Sequence, residues 1–364
     1  MNNERIISLD ALRGLTVAMM IMVNNPGSWT HVYAPLLHAK WDGCTPTDLV
    51  FPFFLFIMGT AMWYSFKKRK SSKFSLSVKI IKRTALIFLL GLFLNAFPFT
   101  NFDLEKMRIF GVLQRIAVCY GLAAFIVILS SRTWNYIIAG VLLFGYWAIL
   151  LLFGDLTLEN NACLKLDLLI LGENHLPRPF GIPFDQLGIL STLSSTVCVL
   201  LGYYAGRLID ESTSKGNTVK LLVLWGIGGV LTGLLWSLIF PLNKPLWSSS
   251  YILYSSGLAS IMLAFLMYII DIQGHKKWAH PLLVFGMNPL FLYVLSGIVA
   301  KLLGIIKVTS FSGKSVSLKS FLYQDLIVPW AGELNGSLVF AILFVLFFGA
   351  IGFVLYWKKI FIKI

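Results

Sequence analysis

Residues 338–357 read LVFAILFVLFFGAIGFVLYW, a run of 20 residues without a charged side chain. About 20 apolar residues in a helix are what a hydrocarbon layer of ~30 Å requires. The run is continuously apolar, whereas the strands of a membrane β-barrel alternate between apolar and polar residues. The stretch therefore predicts a transmembrane helix.

Similar apolar runs recur along the whole chain. Hydrophobic residues make up 57% of the sequence and charged residues only 13%, against about 25% charged residues in a soluble domain. The predicted spans are residues 12–25, 47–66, 84–98, 109–129, 134–153, 187–206, 221–241, 251–270, 281–301 and 338–357. We therefore expect an all-α, polytopic integral membrane protein with about ten transmembrane helices, forming a single domain over residues 1–364.

Basic residues are concentrated on one side of these predicted spans. Eight of them lie between Lys67 and Arg83, whereas the segment 154–186 is rich in acidic residues. Loops on the cytoplasmic side carry the excess of Lys and Arg, so both chain ends are expected in the cytoplasm. The net charge of +14 is then explained by topology and attraction to anionic lipid, and it does not indicate nucleic-acid binding.

Three longer segments, 26–46, 154–186 and 302–337, lie on the opposite side in this topology and are expected to fold as caps. Cys44 and Cys163 fall in two of them. A disulfide between them stays open, because the sequence gives no distance. There is no CxxC motif and no metal-ligand spacing, so no metal is predicted.

Several polar residues lie inside the predicted spans, where they are costly and usually face a cavity or a partner. Asn24, Asp48 and Arg115 are expected at the outer end, level with His38 on the first outer segment. Asp48 and Arg115 can be read as a structural ion pair or as part of a site. Asn288, which precedes Pro289, can equally be a helix–helix hydrogen bond beside a kink. His38 taken alone would be an ordinary loop histidine.

The order of motifs along the chain changes the interpretation of His38. The sequence contains SLDALRG at 8–14, MIMVN ending at Asn24 and HAKWDGCTPTDLVFP from His38 to Pro52. Further along it contains GVLQRIA around Arg115, LLILGENH at 168–175, PLNKPLWSSSY at 241–251 and VFGMNPLFLYV around Asn288. This pattern closely resembles the heparan-alpha-glucosaminide N-acetyltransferase family of transmembrane acetyltransferases, and it covers nearly the whole chain.

The resemblance implies transfer of an acetyl group from cytoplasmic acetyl-CoA to an amino sugar on the far side of the membrane. It implies that His38 is the catalytic histidine, that Asn24 stands beside it, and that the protein is a homodimer. The lysosomal enzyme has an additional N-terminal lumenal domain and first helix. Because this sequence starts at the motif, we expect a member without them, located in a bacterial inner membrane.

The residue types suit this chemistry. A neutral histidine can take the proton of an attacking amine, or His38 can carry the acetyl group itself. Asn24 can donate to the developing oxyanion, and Asp48 can orient His38 or bind sugar hydroxyls. The predicted substrate contacts are Asp48, Trp41, Arg115 and Asn288. The predicted contacts to the phosphates of acetyl-CoA are Arg13, Lys82 and Arg83, which can also be simple cytoplasmic anchors.

Two other functions remain open at this stage. An O-acetyltransferase of an envelope polysaccharide would use the same donor with a hydroxyl acceptor, for which His38 would have to be a stronger base. An amino-sugar permease would also place polar residues inside the membrane. Transporters often show repeated halves, and the sequence contains no convincing internal repeat.

Overall fold

The computed structural model describes residues 6–67, 72–100 and 103–362, and within these ranges the chain is mostly helical, as predicted. The helices are α1 (Ile7–Val23), α2 (Pro46–Lys67), α3 (Lys73–Ala96), α4 (Val112–Leu129), α5 (Arg132–Phe153), α6 (Ala162–Ile170), α7 (Leu190–Glu211), α8 (Lys215–Trp236), α9 (Ser249–Leu266), α10 (His280–Met287), α11 (Pro289–Ile305), α12 (Leu318–Ser320), α13 (Val328–Ala331) and α14 (Glu333–Trp357). A π-helix, Met267–Ile272, extends α9, and a second, Phe321–Ile327, joins α12 to α13. The strands β1 (Lys307–Thr309) and β2 (Ser315–Ser317) form an antiparallel hairpin.

Six helical segments among the described residues are long and apolar enough to cross a membrane. They are α2, α4, α5, α8, α9 with its π-helical extension, and α14. A seventh candidate is the bent pair formed by α10 and α11. The chain is therefore an integral membrane protein. The finer prediction of about ten spans with both ends in the cytoplasm is not confirmed, since the structure gives six or seven candidates.

Three long helices occupy positions where spans were predicted but do not qualify by length and composition. Helix α1 has only 17 residues. The first half of α3 carries four basic residues, and residues 191–196 of α7 are all Ser or Thr except Leu193. These helices pack against the candidate spans, α7 on α2 and α3 on α4. Their crossing of the membrane stays a prediction. The basic cluster behind the predicted orientation lies partly outside the described residues, because 68–71 are not among them.

Helices α2 and α7 approach each other closely enough for their backbones to touch. A Cβ atom on Gly59 would lie 1.9 Å from the Val199 carbonyl oxygen, and one on Gly202 would lie 1.8 Å from that of Phe56. Thr60 Oγ1 donates to the Gly202 carbonyl at 3.0 Å across the same contact. Small residues at such crossings let membrane helices pack tightly. The contact fixes the position of α2, whose first turn carries Asp48.

The predicted ninth span, 281–301, is broken where Asn288 precedes Pro289. Helices α10 and α11 meet there at an angle of 72°. The proline ring disfavours a helical conformation at the preceding residue, which accounts for the break. The Asn288 side chain donates to the Ile360 carbonyl at 3.0 Å and accepts from the Ile362 amide at 2.7 Å. Asn288 therefore holds the chain after α14 and does not link two helices.

The three long connecting segments are folded and meet at one end of the bundle. The Gly27 amide donates to the Ser337 carbonyl at 3.2 Å, and the Gly43 amide donates to the Leu242 carbonyl at 2.7 Å. Trp41 Nε1 donates to the Leu156 carbonyl at 2.9 Å. Cys44 and Cys163 both carry free thiols, so the disulfide that the sequence left open is not formed. That these segments cap the non-cytoplasmic face stays a prediction.

Candidate active site

His38 lies at this end of the bundle and is held by the first turn of α2. Its Nδ1 is 2.7 Å from Asp48 Oδ1, and the side chain of Asp48 is buried while that of His38 is 42% exposed. A buried carboxylate that fixes one ring nitrogen leaves the other, Nε2, as the atom that can meet a substrate. The contact is the one that orientation of His38 by Asp48 requires, and that role stays a prediction.

The local sequence explains why Asp48 is in place. Thr45 is followed by a proline at the start of α2 and, three residues later, by Asp48, a capping-box arrangement. Asp48 Oδ2 accepts from the Thr45 amide, the Thr45 hydroxyl and the Ala39 amide, each at 3.0 Å. The carboxylate therefore ties the beginning of α2 to the segment that carries His38.

Lys244, in the connection between α8 and α9, completes the cluster. Its Nζ lies 2.8 Å from His38 Nδ1, 3.4 Å from His38 Nε2 and 3.2 Å from Asp48 Oδ1. Burial lowers the pKa of Lys244, and the Asp48 carboxylate opposes that shift. The carboxylate beside Nδ1 favours the tautomer with the ring proton on Nδ1, which then donates to Asp48, and in that tautomer the Lys244 ammonium donates to Asp48 Oδ1 and not to Nδ1. Nε2 then keeps its lone pair.

These residues line a cavity of about 250 Å³, which we call the His38 cavity. Its walls are Met20, Val23, Asn24, His38, Thr47, Val50, Phe51, Arg108, Val112, Pro177, Pro179, Gln186, Leu187 and Lys244. Asn24 follows α1 directly, and its side-chain amide makes no hydrogen bond with other residues in the described ranges. The predicted pair of His38 and Asn24 therefore shares one cavity, and the Asn24 amide remains available to a ligand.

Arg115 is not the partner of Asp48, which corrects the predicted ion pair. The guanidinium is completely buried and donates to Ser195 Oγ at 2.6 Å, to Ser191 Oγ at 2.6 Å and to the Gly188 carbonyl at 3.1 Å. The run of Ser and Thr at the start of α7 supplies enough acceptors to hold an arginine there. Arg115 thus joins α4 to α7 and is not among the residues that line the His38 cavity.

Two further predicted substrate contacts also lie elsewhere. The Trp41 ring packs edge-on against Phe180 and Phe184, with centroids 5.7 and 5.6 Å apart. Trp41 therefore holds the 154–186 segment against the His38 segment. Asn288 binds the chain after α14, as described above. Neither residue lines the His38 cavity.

The sequence did not single out two residues of the His38 cavity, Lys244 and Arg108. Arg108 forms a bidentate pair with Asp185, with its Nε and Nη2 at 2.9 and 2.7 Å from the carboxylate oxygens. Both residues come from connections whose path the helix pattern does not determine. The only available signal for Lys244 was its place in the motif PLNKPLWSSSY.

A second cavity, of about 360 Å³, lies further along the same helices. We call it the Arg83 cavity; its walls are Arg13, Phe54, Ile57, Met58, Ala61, Met62, Ser65, Phe66, Arg83, Ile87, Ile116, Tyr120, Gly286, Met287, Pro289, Leu290 and Ile362. It brings together two of the three residues predicted to bind acetyl-CoA, Arg13 and Arg83. Lys82 is exposed on α3 and is not one of its wall residues.

The two arginines of this cavity are held differently. Arg13 Nη1 pairs with Asp10 Oδ1 at 2.8 Å. The guanidinium carbon of Arg83 lies 4.6 Å from the centre of the Tyr120 ring. The Nε atom of Arg83 is buried, with no hydrogen-bond partner within the described ranges. An arginine with unused donor capacity is suited to bind an anion.

Comparison with protein families matches residues 5–224 to the heparan-alpha-glucosaminide N-acetyltransferase catalytic family. The chain belongs to this family. The heparan-alpha-glucosaminide N-acetyltransferases of Homo sapiens and Mus musculus are each 28% identical to it, over 351 and 354 residues respectively. These matches cover 80% of this chain and 52% and 53% of the relatives, so the chain spans about half of their length.

The part of the chain that matches this family includes residues from both cavities. The matched region of the family contains His38, Asn24 and Asp48 from the His38 cavity cluster and Arg13 and Arg83 from the other cavity. Lys244 lies beyond residue 224, so only the structure brings it to the site. Among the described residues no group of three or more His, Cys, Asp or Glu side chains could hold a metal ion.

Proposed function

We propose that this protein transfers an acetyl group from acetyl-CoA to the amine of a glucosamine-type sugar on the opposite side of the membrane. One observation carries the proposal: the two cavities share no wall residue, yet they adjoin on the same two helices. On α2, Phe51 and Phe54 line different cavities, and on α4 Val112 and Ile116 do so. Three or four residues along a helix correspond to about 4.5–6 Å, a short distance for a thioester to cross.

His38 is the group that handles the proton in this proposal. The amine attacks the thioester carbonyl, and the free Nε2 accepts the amine proton as the tetrahedral intermediate forms. Asp48 holds the ring through Nδ1 at 2.7 Å and stabilises the imidazolium. If Nε2 instead attacks first, His38 carries the acetyl group and the same contact orients the nucleophile.

Asn24, which lines the same cavity as His38, supports the same step. Its amide N–H groups can donate to the acetyl oxygen as negative charge develops there. The prolines at 177 and 179, together with Val50 and Leu187, give the cavity apolar surfaces. Such surfaces suit the faces of a sugar ring, while the polar cluster receives its amine.

The Arg83 cavity is the proposed site for the donor. The nucleotide end of acetyl-CoA carries several phosphate groups, and arginine binds phosphate through paired N–H donors. Arg83 has a buried Nε without a partner in the described ranges, and Arg13 lines the same space. Lys82 is exposed and is not a wall residue of this cavity, so we leave it out of the proposed donor site.

The sidedness of the protein follows from the charge pattern. The Arg83 cavity belongs to the cytoplasmic side if the basic residues between Lys67 and Arg83 face the cytoplasm. The His38 cavity, with the three folded segments above it, then faces the other side. We further propose that residues 1–364 form one membrane domain, that two copies form a homodimer, and that a bacterial inner membrane contains it.

An acceptor comparison with purified protein tests the proposed reaction. With radiolabelled acetyl-CoA, glucosamine should give a labelled product, whereas N-acetylglucosamine should give none because its amine is already acylated. Label on N-acetylglucosamine would point to O-acetylation. No transfer to any amino sugar, together with intact acetyl-CoA, would contradict an acetyltransferase and favour a permease.

A further inference from the structure

The connection that carries Lys244 is held against the segment before α2 by a β-bridge and by side-chain hydrogen bonds. The stretch from Pro241 to Ser248 runs alongside residues 42–43, where Gly43 and Asn243 form a β-bridge. Asn243 Nδ2 donates to Asp42 Oδ1 at 3.1 Å, and Asn243 Oδ1 accepts from the Leu246 amide at 2.7 Å. These contacts fix the backbone on both sides of Lys244.

The hydrogen bonds of Asp48 do not depend on Lys244. The carboxylate already accepts from Ala39, from Thr45 twice and from His38, which matches the roughly four lone-pair sites that it offers. An ammonium carries three donors. One contacts Asp48 Oδ1 at 3.2 Å, and another faces the His38 ring, with Nδ1 at 2.8 Å. The lysine also lines the His38 cavity, so its third donor can reach a substrate bound there.

The position of the Lys244 ammonium relative to the reacting atoms defines its role. Nζ lies 3.4 Å from His38 Nε2, the atom that takes the amine proton or carries the acetyl group. In the general-base mechanism the amine held at Nε2 attacks the acetyl carbon, and in the covalent mechanism Nε2 attacks it directly, so in both the carbonyl oxygen on that carbon comes within reach of an ammonium 3.4 Å from Nε2. We propose that Lys244 is a catalytic residue that donates to the oxyanion of the tetrahedral intermediate, an inference that rests on the acetyl transfer proposed above.

The step balances without any further reactant. The amine nitrogen forms a bond to the acetyl carbon, the π electron pair moves to oxygen, and Nε2 of His38 takes the amine proton. Lys244 keeps its own protons and donates one hydrogen bond to that oxygen. When the carbonyl re-forms, the carbon–sulfur bond breaks, and the thiolate of CoA leaves with the proton held by His38.

Replacement of the ammonium by a neutral chain of similar length tests this role. Removal of one donor to an oxyanion typically lowers kcat by ~10²–10³-fold. Lys244→Met should therefore lose at least about a hundredfold in kcat, with the KM for glucosamine and the affinity for acetyl-CoA changed by less than about threefold. Lys40→Met is the matched control, because Lys40 is exposed on the same segment as His38 and does not line the cavity. It should behave like the parent protein.

A double substitution separates this role from simple neutralisation of Asp48. If Lys244 served only to balance that charge, Lys244→Met would have no further effect once Asp48→Asn had removed the carboxylate. Donation to the oxyanion instead predicts that the double variant is about a hundredfold slower than Asp48→Asn alone. Equal rates for the double variant and Asp48→Asn, or a kcat of Lys244→Met within about threefold of the parent, would overturn the proposal.

Thermal unfolding shows whether each variant is folded, and if Lys244→Met is not, the same comparisons are made with Lys244→Leu, which also lacks a donor. A parent protein that transfers acetyl groups while these variants retain full kcat refutes only the role of Lys244. A parent protein without any acetyl transfer refutes the proposed function itself.

Discussion

The two cavities of this protein are built in different ways. The His38 cavity combines helix ends with connecting segments, and its charged groups are already paired: Asp48 with His38 and Lys244, and Arg108 with Asp185. The Arg83 cavity is formed mainly by helices and apolar side chains, and the buried Nε of Arg83 has no hydrogen-bond partner among the residues that the structure describes. A preorganised polar cluster suits chemistry, whereas unused cationic capacity in an apolar pocket suits binding of an anion.

The largest difference should appear when His38 is removed. General acid–base catalysis typically contributes ~10²–10⁴-fold, so His38→Ala should lower turnover with glucosamine by at least about a hundredfold. Its affinity for acetyl-CoA, measured by calorimetry, should be unchanged because the Arg83 cavity is separate. The matched control is His31→Ala, since His31 lies 2.9 Å from Glu333 and outside both cavities. Near-normal turnover in His38→Ala would remove the histidine mechanism.

The opposite behaviour is expected for Arg83. Hydrogen bonds to charged groups contribute about 1.5–3 kcal/mol, so Arg83→Gln should weaken acetyl-CoA binding by about tenfold or more and leave kcat at saturating donor nearly unchanged. Lys82→Gln is the control, because Lys82 is the neighbouring basic residue and is exposed outside the cavity. Equal effects of the two substitutions would mean that only general positive charge matters at this end.

A smaller effect, on thermal stability, should come from a buried carboxyl group near the His38 cavity and depend on pH. Helix α6, near the His38 cavity, carries the buried Asp167, whose Oδ1 accepts from the Ile189 amide at 2.9 Å. Burial raises the pKa of Asp167 to about 7. The folded protein therefore favours the protonated form, and this contribution to stability is present below pH 3.8 and is lost as the pH rises through about 7.

The unfolding temperature should accordingly fall by a few degrees between pH 5 and pH 8, since 1 kcal/mol shifts it by about 2–4 °C in chains of roughly 150–250 residues and by less in a longer chain. Asp167→Asn should flatten this dependence, which differential scanning fluorimetry in detergent would show. Asp155→Asn provides a control, because Asp155 lies in the same segment but its hydrogen bonds to Thr157 and Asn160 lower its pKa. An unchanged slope in Asp167→Asn would assign the dependence to other groups.

The sequence predicted the helices well because apolar runs alone determine where a membrane chain becomes helical. It predicted more spans than the six or seven that qualify by length and composition among the described residues, since α1 is short, α3 begins with basic residues and α7 begins with Ser and Thr. The pairing of His38 with Asp48 was within reach, because both belong to the stretch HAKWDGCTPTDLVFP and lie ten residues apart. The partner of Arg115 was not, because it depends on how α4 meets the serine-rich start of α7.

Lys244 was missed for a related reason. It is 206 residues from His38 in the chain, and only the fold of two connections brings their side chains within hydrogen-bonding distance. Connections between spans have no period from which their path could be predicted. The order of motifs along the chain pointed to His38 and Asn24, whereas only the three-dimensional fold places Lys244 beside them.

The central claim, that acetyl transfer crosses the membrane between the two cavities, can be tested in sealed proteoliposomes. Acetyl-CoA is supplied on one side only and glucosamine only on the other, with an acetyl-CoA-degrading enzyme on the acceptor side to remove leakage. The account predicts labelled N-acetylglucosamine on the acceptor side, lost with His38→Ala and retained with His31→Ala. Product that forms only when both substrates share one compartment would contradict it.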